Sequence, residues 1–197
     1  MTTTAIPGYR LGDSALPASP LTEKDLADLK TSLLFTDEDV AALRKAYDVV
    51  RDQVEPILDV WYGFVGSTPH LLAYFSDPVT GAPDGDYLAA VRKRFGQWIL
   101  DTCSAKYDKD WLAWQDEIGR RHHRVGKNRT DGAVAAAHIH MRHMLALAIP
   151  ISVTMKPFLA GKGHPAEEVD TMHAAWSKAV LLQAILWCRP YVKEGDF

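Results

Sequence analysis

Apolar residues recur every three or four positions through most of the chain, which predicts a series of helices joined by short breaks. The first twenty residues, MTTTAIPGYRLGDSALPASP, lack that period and carry three prolines and two glycines. They read as an extended arm over 1–21 that Ile6, Tyr9 and Leu11 could pin to the body. Thr22 with Asp25, and Thr36 with Asp39, resemble helix-capping pairs ahead of the apolar faces Leu26–Leu29 and Val40–Leu43–Tyr47–Val50. Pro56 stands in the first turn of an apolar segment running to about Ser67, and Thr68-Pro69 opens a short helix, PHLLAYF. SDPVTGAPDGD (76–86) is a loop. The following helix, from Tyr87 to about Cys103, carries Leu88, Val91, Phe95, Trp98 and Ile99.

Three further helices complete the pattern. One is expected from near Asp108 to near Gly126. A long one is expected from about Ala133 to about Ala160, bent at Pro150 or Pro157. The last follows Pro165 and carries Val169, Met172, Trp176, Val180 and Leu181 to Pro190. No stretch shows strand alternation, so the fold class is all-α, with 22–197 as one domain after the arm.

Composition narrows the partners. A net charge of −3 argues against nucleic acid, because phosphate binding needs a concentrated positive field. MLALAIPISVTM (144–155) reads as too short to span a bilayer and broken at Pro150, and no secretory leader is visible, so no membrane partner is expected. Two cysteines, Cys103 and Cys188, make no disulfide framework, and a cytoplasmic location with reduced thiols follows as the expectation.

The candidate chemistry lies in EIGRRHHRVGKN (117–128). Trp114, Ile118 and His122 are four apart and share one helix face, whereas His123 is turned by about 100°. His122 is therefore the inward imidazole. By spacing alone such a position is more often a hydrogen-bonded core histidine than a metal ligand. His138, His140 and His143 form a looser group, in which His140 and His143 could approach one metal, but no further zinc or di-iron ligand motif accompanies them. Partly exposed helix-surface histidines account for them. Nucleophile elbows and phosphate-binding glycine loops are missing from the sequence.

What remains is a helical domain with one inward histidine and large aromatics on three preceding segments: Trp61 and Tyr62, Phe75, and Phe95 with Trp98. An aromatic core is one reading. A flat apolar slot for haem, closed by an imidazole, is the other.

The chain resembles the protoglobins, single-domain globins related to the sensor domains of globin-coupled sensors. The likeness runs from IPGY (6–9) to KEGDF (193–197), through ILDVWYGFVGS (57–67), YLAAVRKRF (87–95), WILDT (98–102), EIGRRHHR (117–124) and TMKPFLAGKGH (154–164). It implies a globin fold with an additional N-terminal helix, an arm that helps bury haem b, and His122 as the proximal iron ligand. Trp61, Tyr62 and Phe95 would then line the distal side, with Phe75 pressed on the haem. Leu147 stands where relatives tend to carry phenylalanine, which would widen distal access. Pro56 is expected to bend the segment presenting Trp61 and Tyr62. Arg94, beside Phe95, is the candidate partner of a propionate. The family also implies a homodimer through the last two long helices, and the small residues AVAAAH (133–138) would permit close helix approach there.

Three functions remain open. A gas-binding haem protein would store, scavenge or sense O2, CO or NO, with Tyr62 as donor to the ligand and no distal histidine over 87–103. A haem enzyme would process NO or peroxide. A helical interaction protein would bind no cofactor.

Overall fold

The sequence is here resolved into atoms by a computed structural model, which describes residues 5–197. Its helices are α1 (Glu23–Ser32), α2 (Asp37–Val50), α3 (Val54–Ser67), α4 (Pro69–Leu72), α5 (Gly85–Ser104), α6 (Lys109–His122), α7 (Met141–Ala146), α8 (Ala148–Ala160) and α9 (Ala166–Cys188). Short 3-10 turns follow α4 and α9. No strand forms among the described residues; an isolated bridge, Ser76 to Pro83, ties the loop before α5.

Side-chain acceptors set several helix starts. The Thr22 hydroxyl accepts from the Asp25 amide at 3.2 Å, and the Asp25 carboxylate accepts from the Thr22 amide at 2.8 Å. Asp39 serves the Thr36 amide, Asp84 the Tyr87 amide and Asp108 the Trp111 amide, at 2.8–2.9 Å. Each such cap contributes about 1 kcal/mol. Pro56 occupies the first turn of α3, where no backbone hydrogen bond is lost. The helix runs unbroken through Trp61 and Tyr62.

The main core gathers α2, α3, α5, α8 and α9 around Leu43, Val50, Leu58, Ile99, Leu159 and Trp176. A second cluster, Leu26, Trp111, Leu112, Leu182 and Leu186, clamps α1 and α6 onto α9. A buried polar bridge crosses the main core. The Gln183 carbonyl accepts from Trp98 Nε1 at 2.7 Å, and its amide donates to Thr102 Oγ1 and the Ala179 carbonyl. These groups are satisfied, so their burial is tolerated.

Two helix boundaries differ from expectation. α6 stops at His122 rather than Gly126, because His123 turns to extended backbone at ψ 157° and the chain folds back. A Cβ at Gly126 would lie 2.6 Å from the Arg120 carbonyl oxygen. Residues 123–140 are irregular, so the helix expected from Ala133 begins only at Met141. Tertiary bonds override the helical propensity of the alanine run. Asn128, at φ 71°, donates to the Ala135 carbonyl at 2.7 Å, and the Ile139 amide donates to the His122 carbonyl at 3.1 Å. AVAAAH is therefore no helix–helix contact.

The break in the next rod falls at Leu147, within one turn of Pro150, and not at Pro157. Pro150 has no N–H for the Ala146 carbonyl and its ring crowds that group, which separates α7 from α8 one turn upstream. Pro157 stays inside α8. Read as one rod, Met141–Ala160 is long and apolar enough to cross a membrane by length and composition, contrary to the short run inferred from sequence. Its inner side packs on α3 and α9.

The described part of the arm, residues 5–21, has no helix and lies along the body. Tyr9 donates to Asp101 at 2.6 Å and meets Trp114 edge-on at 5.0 Å. Arg121 donates to the Gly8 carbonyl at 2.6 Å and Arg94 to that of Pro7 at 3.2 Å. Leu11 packs beside the α1–α6–α9 cluster.

Candidate functional site

One cavity of about 220 Å3 opens between α3, α5, α6 and α9. The next, about 10 Å3, holds no more than a water. His122, Phe95, Phe75, Trp61, Tyr62, Leu147 and Arg94 all line the larger one.

His122 ends α6, one turn beyond Ile118 and two beyond the buried Trp114. Its Nδ1–H donates to the Ile118 carbonyl at 2.8 Å. A carbonyl can only accept, so the neutral ring carries its proton on Nδ1 and leaves the Nε2 lone pair free. Burial pushes the imidazole down to about 4, the Ile118 bond opposing, with nearby Lys127 and Arg121 adding to the drop. The ring is thus a neutral ligand at ordinary pH. Its flat face lies on Trp187, with centroids 5.4 Å apart and planes 12° apart. Trp187 is itself fixed by donating to Gln115 Oε1 at 2.7 Å. Gly119 permits this contact, since a Cβ there would lie 3.0 Å from the Trp187 Cα and carbonyl oxygen.

Elsewhere in the lining, Trp61 leans on Phe95 at 5.7 Å, Phe95 stacks on Trp98 at 5.1 Å, and Trp98 meets Trp187 at 5.7 Å. Tyr62 reaches the cavity from α3, with the Arg92 guanidinium 5.6 Å from its ring. Burial raises its phenol well above the usual range, with Arg92 and Arg94 pulling the other way, so the hydroxyl remains a donor. Phe75 is held by the bond from the Asp84 amide to its carbonyl at 2.8 Å, and tilts against Tyr87 at 5.6 Å. Leu147 sits at the α7–α8 break beside Val65, Leu71 and Tyr74. Arg94 makes a two-pronged bond to Asp131 at 2.9 and 2.6 Å.

Sequence reasoning did not find Trp187, Tyr9, Tyr87 or Arg121 as cavity residues. Trp187 has no spacing signal because it meets His122 across two helices. His123 points elsewhere, meeting His138 and Tyr191 edge-on at 5.1 and 4.9 Å. His138 lies in the irregular segment and His140 precedes α7, so neither is the helix-surface residue expected. Among the described residues no three His, Cys, Asp or Glu side chains are placed to hold a metal. Cys103 is no nucleophile, since burial pushes its thiol up to about 12.

A family model, Protoglobin, matches residues 22–197. The chain belongs to the protoglobin family. Among solved structures it is similar to the globin domain of the Geobacter sulfurreducens globin-coupled sensor, at 16% identity and a TM-score of 0.66. That match covers 88% of this chain and 99% of the other, and shows a shared globin fold. A search of curated proteins gave no match.

The globin family implies a haem, and this cavity's residues fit one. The fit rests on a neutral imidazole with a free Nε2 in a predominantly apolar, aromatic lining.

Proposed function

We propose that this protoglobin is a haem b protein that reversibly binds O2, CO or NO at a five-coordinate iron, for gas sensing, scavenging or storage. When bound, haem would supply an iron able to take a diatomic ligand. His122 offers Nε2 as the single protein ligand, and the Ile118 carbonyl fixes its tautomer and direction. With haem in place, Trp61, Phe95, Phe75 and Leu147 of the lining would keep its surroundings apolar and limit water. Tyr62, also in the lining, would offer a polar ligand an O–H with no hydrogen-bond partner among the described residues, worth about 0.5–1.5 kcal/mol.

The observation that carries this reading is the His122 imidazole, held neutral with Nε2 free in the wall of an aromatic cavity. The test is the absorption spectrum of the hemin-loaded protein, ferrous, with and without CO. A five-coordinate ferrous spectrum that converts to a carbonyl form is expected, and failure to take up hemin overturns the reading. The alternative, a haem enzyme acting on NO or peroxide, asks for an acid–base group opposite His122. The carboxylate at the rim, Asp131, is already paired with Arg94. Steady turnover of NO or peroxide would favour the enzyme.

The same proposal includes a second copy of the chain as partner. Leu145, Ile149 and Val153 are four apart on α7–α8 and 42–67% exposed, and Leu181 on α9 is 41% exposed. This face would be covered in a homodimer. A reducing cytoplasm suits Cys103 and Cys188, both buried and free.

A further inference from the structure

Lys127 is a buried cation with no anion beside it among the described residues. The residue is 6% exposed, and the carboxylates near the cavity rim, Asp131 and Glu117, are bonded instead to Arg94 and Arg121. Lys127 Nζ donates to the Tyr74 carbonyl and to Asn128 Oδ1, both at 2.9 Å, and reaches the Tyr87 hydroxyl at 3.5 Å. It also lies 5.2 Å from the Tyr87 ring centre. Desolvation with no countercharge lowers the ammonium to about 8. Anchoring a loop carbonyl does not by itself call for a buried charge, because a neutral donor could do it.

The surroundings point to what the charge faces. Tyr74, Tyr87 and Asn128, the three residues that accept from Lys127, all line the cavity. The Tyr87 hydroxyl, accepting from the ammonium, keeps its own proton to donate. Burial, with Asp131 adding, raises that phenol to about 12, so it stays protonated. The neighbouring wall, Phe75 and Leu71, offers an acceptor nothing.

We propose that Tyr87 and Lys127 form a carboxylate-binding point at the Phe75 end of the cavity, with Tyr87 donating to a haem propionate and Lys127 behind it as the countercharge. This rests on the haem reading, and it moves the propionate contact from Arg94, whose fork is filled by Asp131, to a pair that has an open donor. Charge-assisted bonds of this kind are roughly twice as strong as neutral ones.

The test compares hemin with hemin dimethyl ester, in which both carboxylates are masked, by measuring the dissociation constant of each from wild type, Lys127→Met and Tyr87→Phe. Lys127→Met is expected to weaken hemin about tenfold and Tyr87→Phe about threefold, while both leave the ester within about twofold of wild type. A merely structural lysine would weaken hemin and ester alike, and that result overturns the assignment, as does an unchanged hemin constant in both variants. Should Lys127→Met fail to fold, Tyr87→Phe decides alone, because it removes one hydroxyl and leaves the ring packed on Phe75. Wild type that takes up neither pigment overturns the haem reading and this assignment together. Wild type that binds both equally overturns only the carboxylate point.

Discussion

The Nδ1–H of His122 is held by the carbonyl of Ile118 at 2.8 Å, one turn back along α6. The bond fixes which nitrogen faces the cavity before any ligand arrives. His122→Ala is therefore expected to abolish stable hemin retention or leave a spectrum with a substitute ligand. His123→Ala, whose ring meets His138 and Tyr191, should retain a normal Soret band.

Tyr62→Phe removes an O–H from the cavity without changing its shape. A neutral hydrogen bond of about 0.5–1.5 kcal/mol corresponds to O2 dissociating about three to ten times faster. CO, which draws less negative charge, should dissociate at nearly the wild-type rate. Flash photolysis and stopped flow measure the two, and equal acceleration of both gases would remove the donor role.

Acid should destabilise the cofactor-free protein through His122. Its folded value, about 4, lies below the ordinary 6.5, so the unfolded chain binds more protons between those limits. The stabilisation is present above pH 6.5 and is lost as pH falls toward 4, by about 3 kcal/mol at most. Urea midpoints at pH 7 and pH 5 test this. The fall should shrink in His122→Phe, which cannot titrate.

Gly8→Ala should loosen the arm. Gly8 has φ +77°, and a Cβ there would lie 2.6 Å from Thr130 Cγ2 and 2.9 Å from an Arg94 nitrogen. Strain of about 1–3 kcal/mol would shift the arm off Tyr9's contacts with Asp101 and Trp114. Limited proteolysis should cut the variant's first twenty residues faster, and hemin should escape to a scavenger several times faster.

Ile149→Arg or Val153→Asp should yield a monomer if the exposed α8 face is a subunit contact. Sedimentation at several concentrations measures this, and a wild type already monomeric would dispose of the homodimer.

How much of this was readable beforehand depends on the range of the interactions. The His122 row was visible because Trp114, Ile118 and His122 repeat with the helix period, and the caps at Thr22 and Thr36 are local. Phe75, Phe95, Trp61 and Tyr62 lie together in the cavity; their residue types and helical segments had suggested a slot as one of two readings, and the resemblance gave each a role. Residues 123–140 misled because alanines promise helix, while bonds from Asn128, Lys127 and Ile139 to distant or looping backbone decide otherwise. Trp187 and Tyr87 could not be singled out, since their importance comes from partners on other helices.

Gly119 has a mechanical consequence. With no side chain between them, the α6 backbone rests against the Trp187 backbone, and the Trp187 ring backs the His122 imidazole. A tug on that imidazole meets α9 through stiff main chain and a flat indole, with no pliable side chain to absorb it. A displacement of the His122 ring is therefore expected to be passed to α9 with little loss.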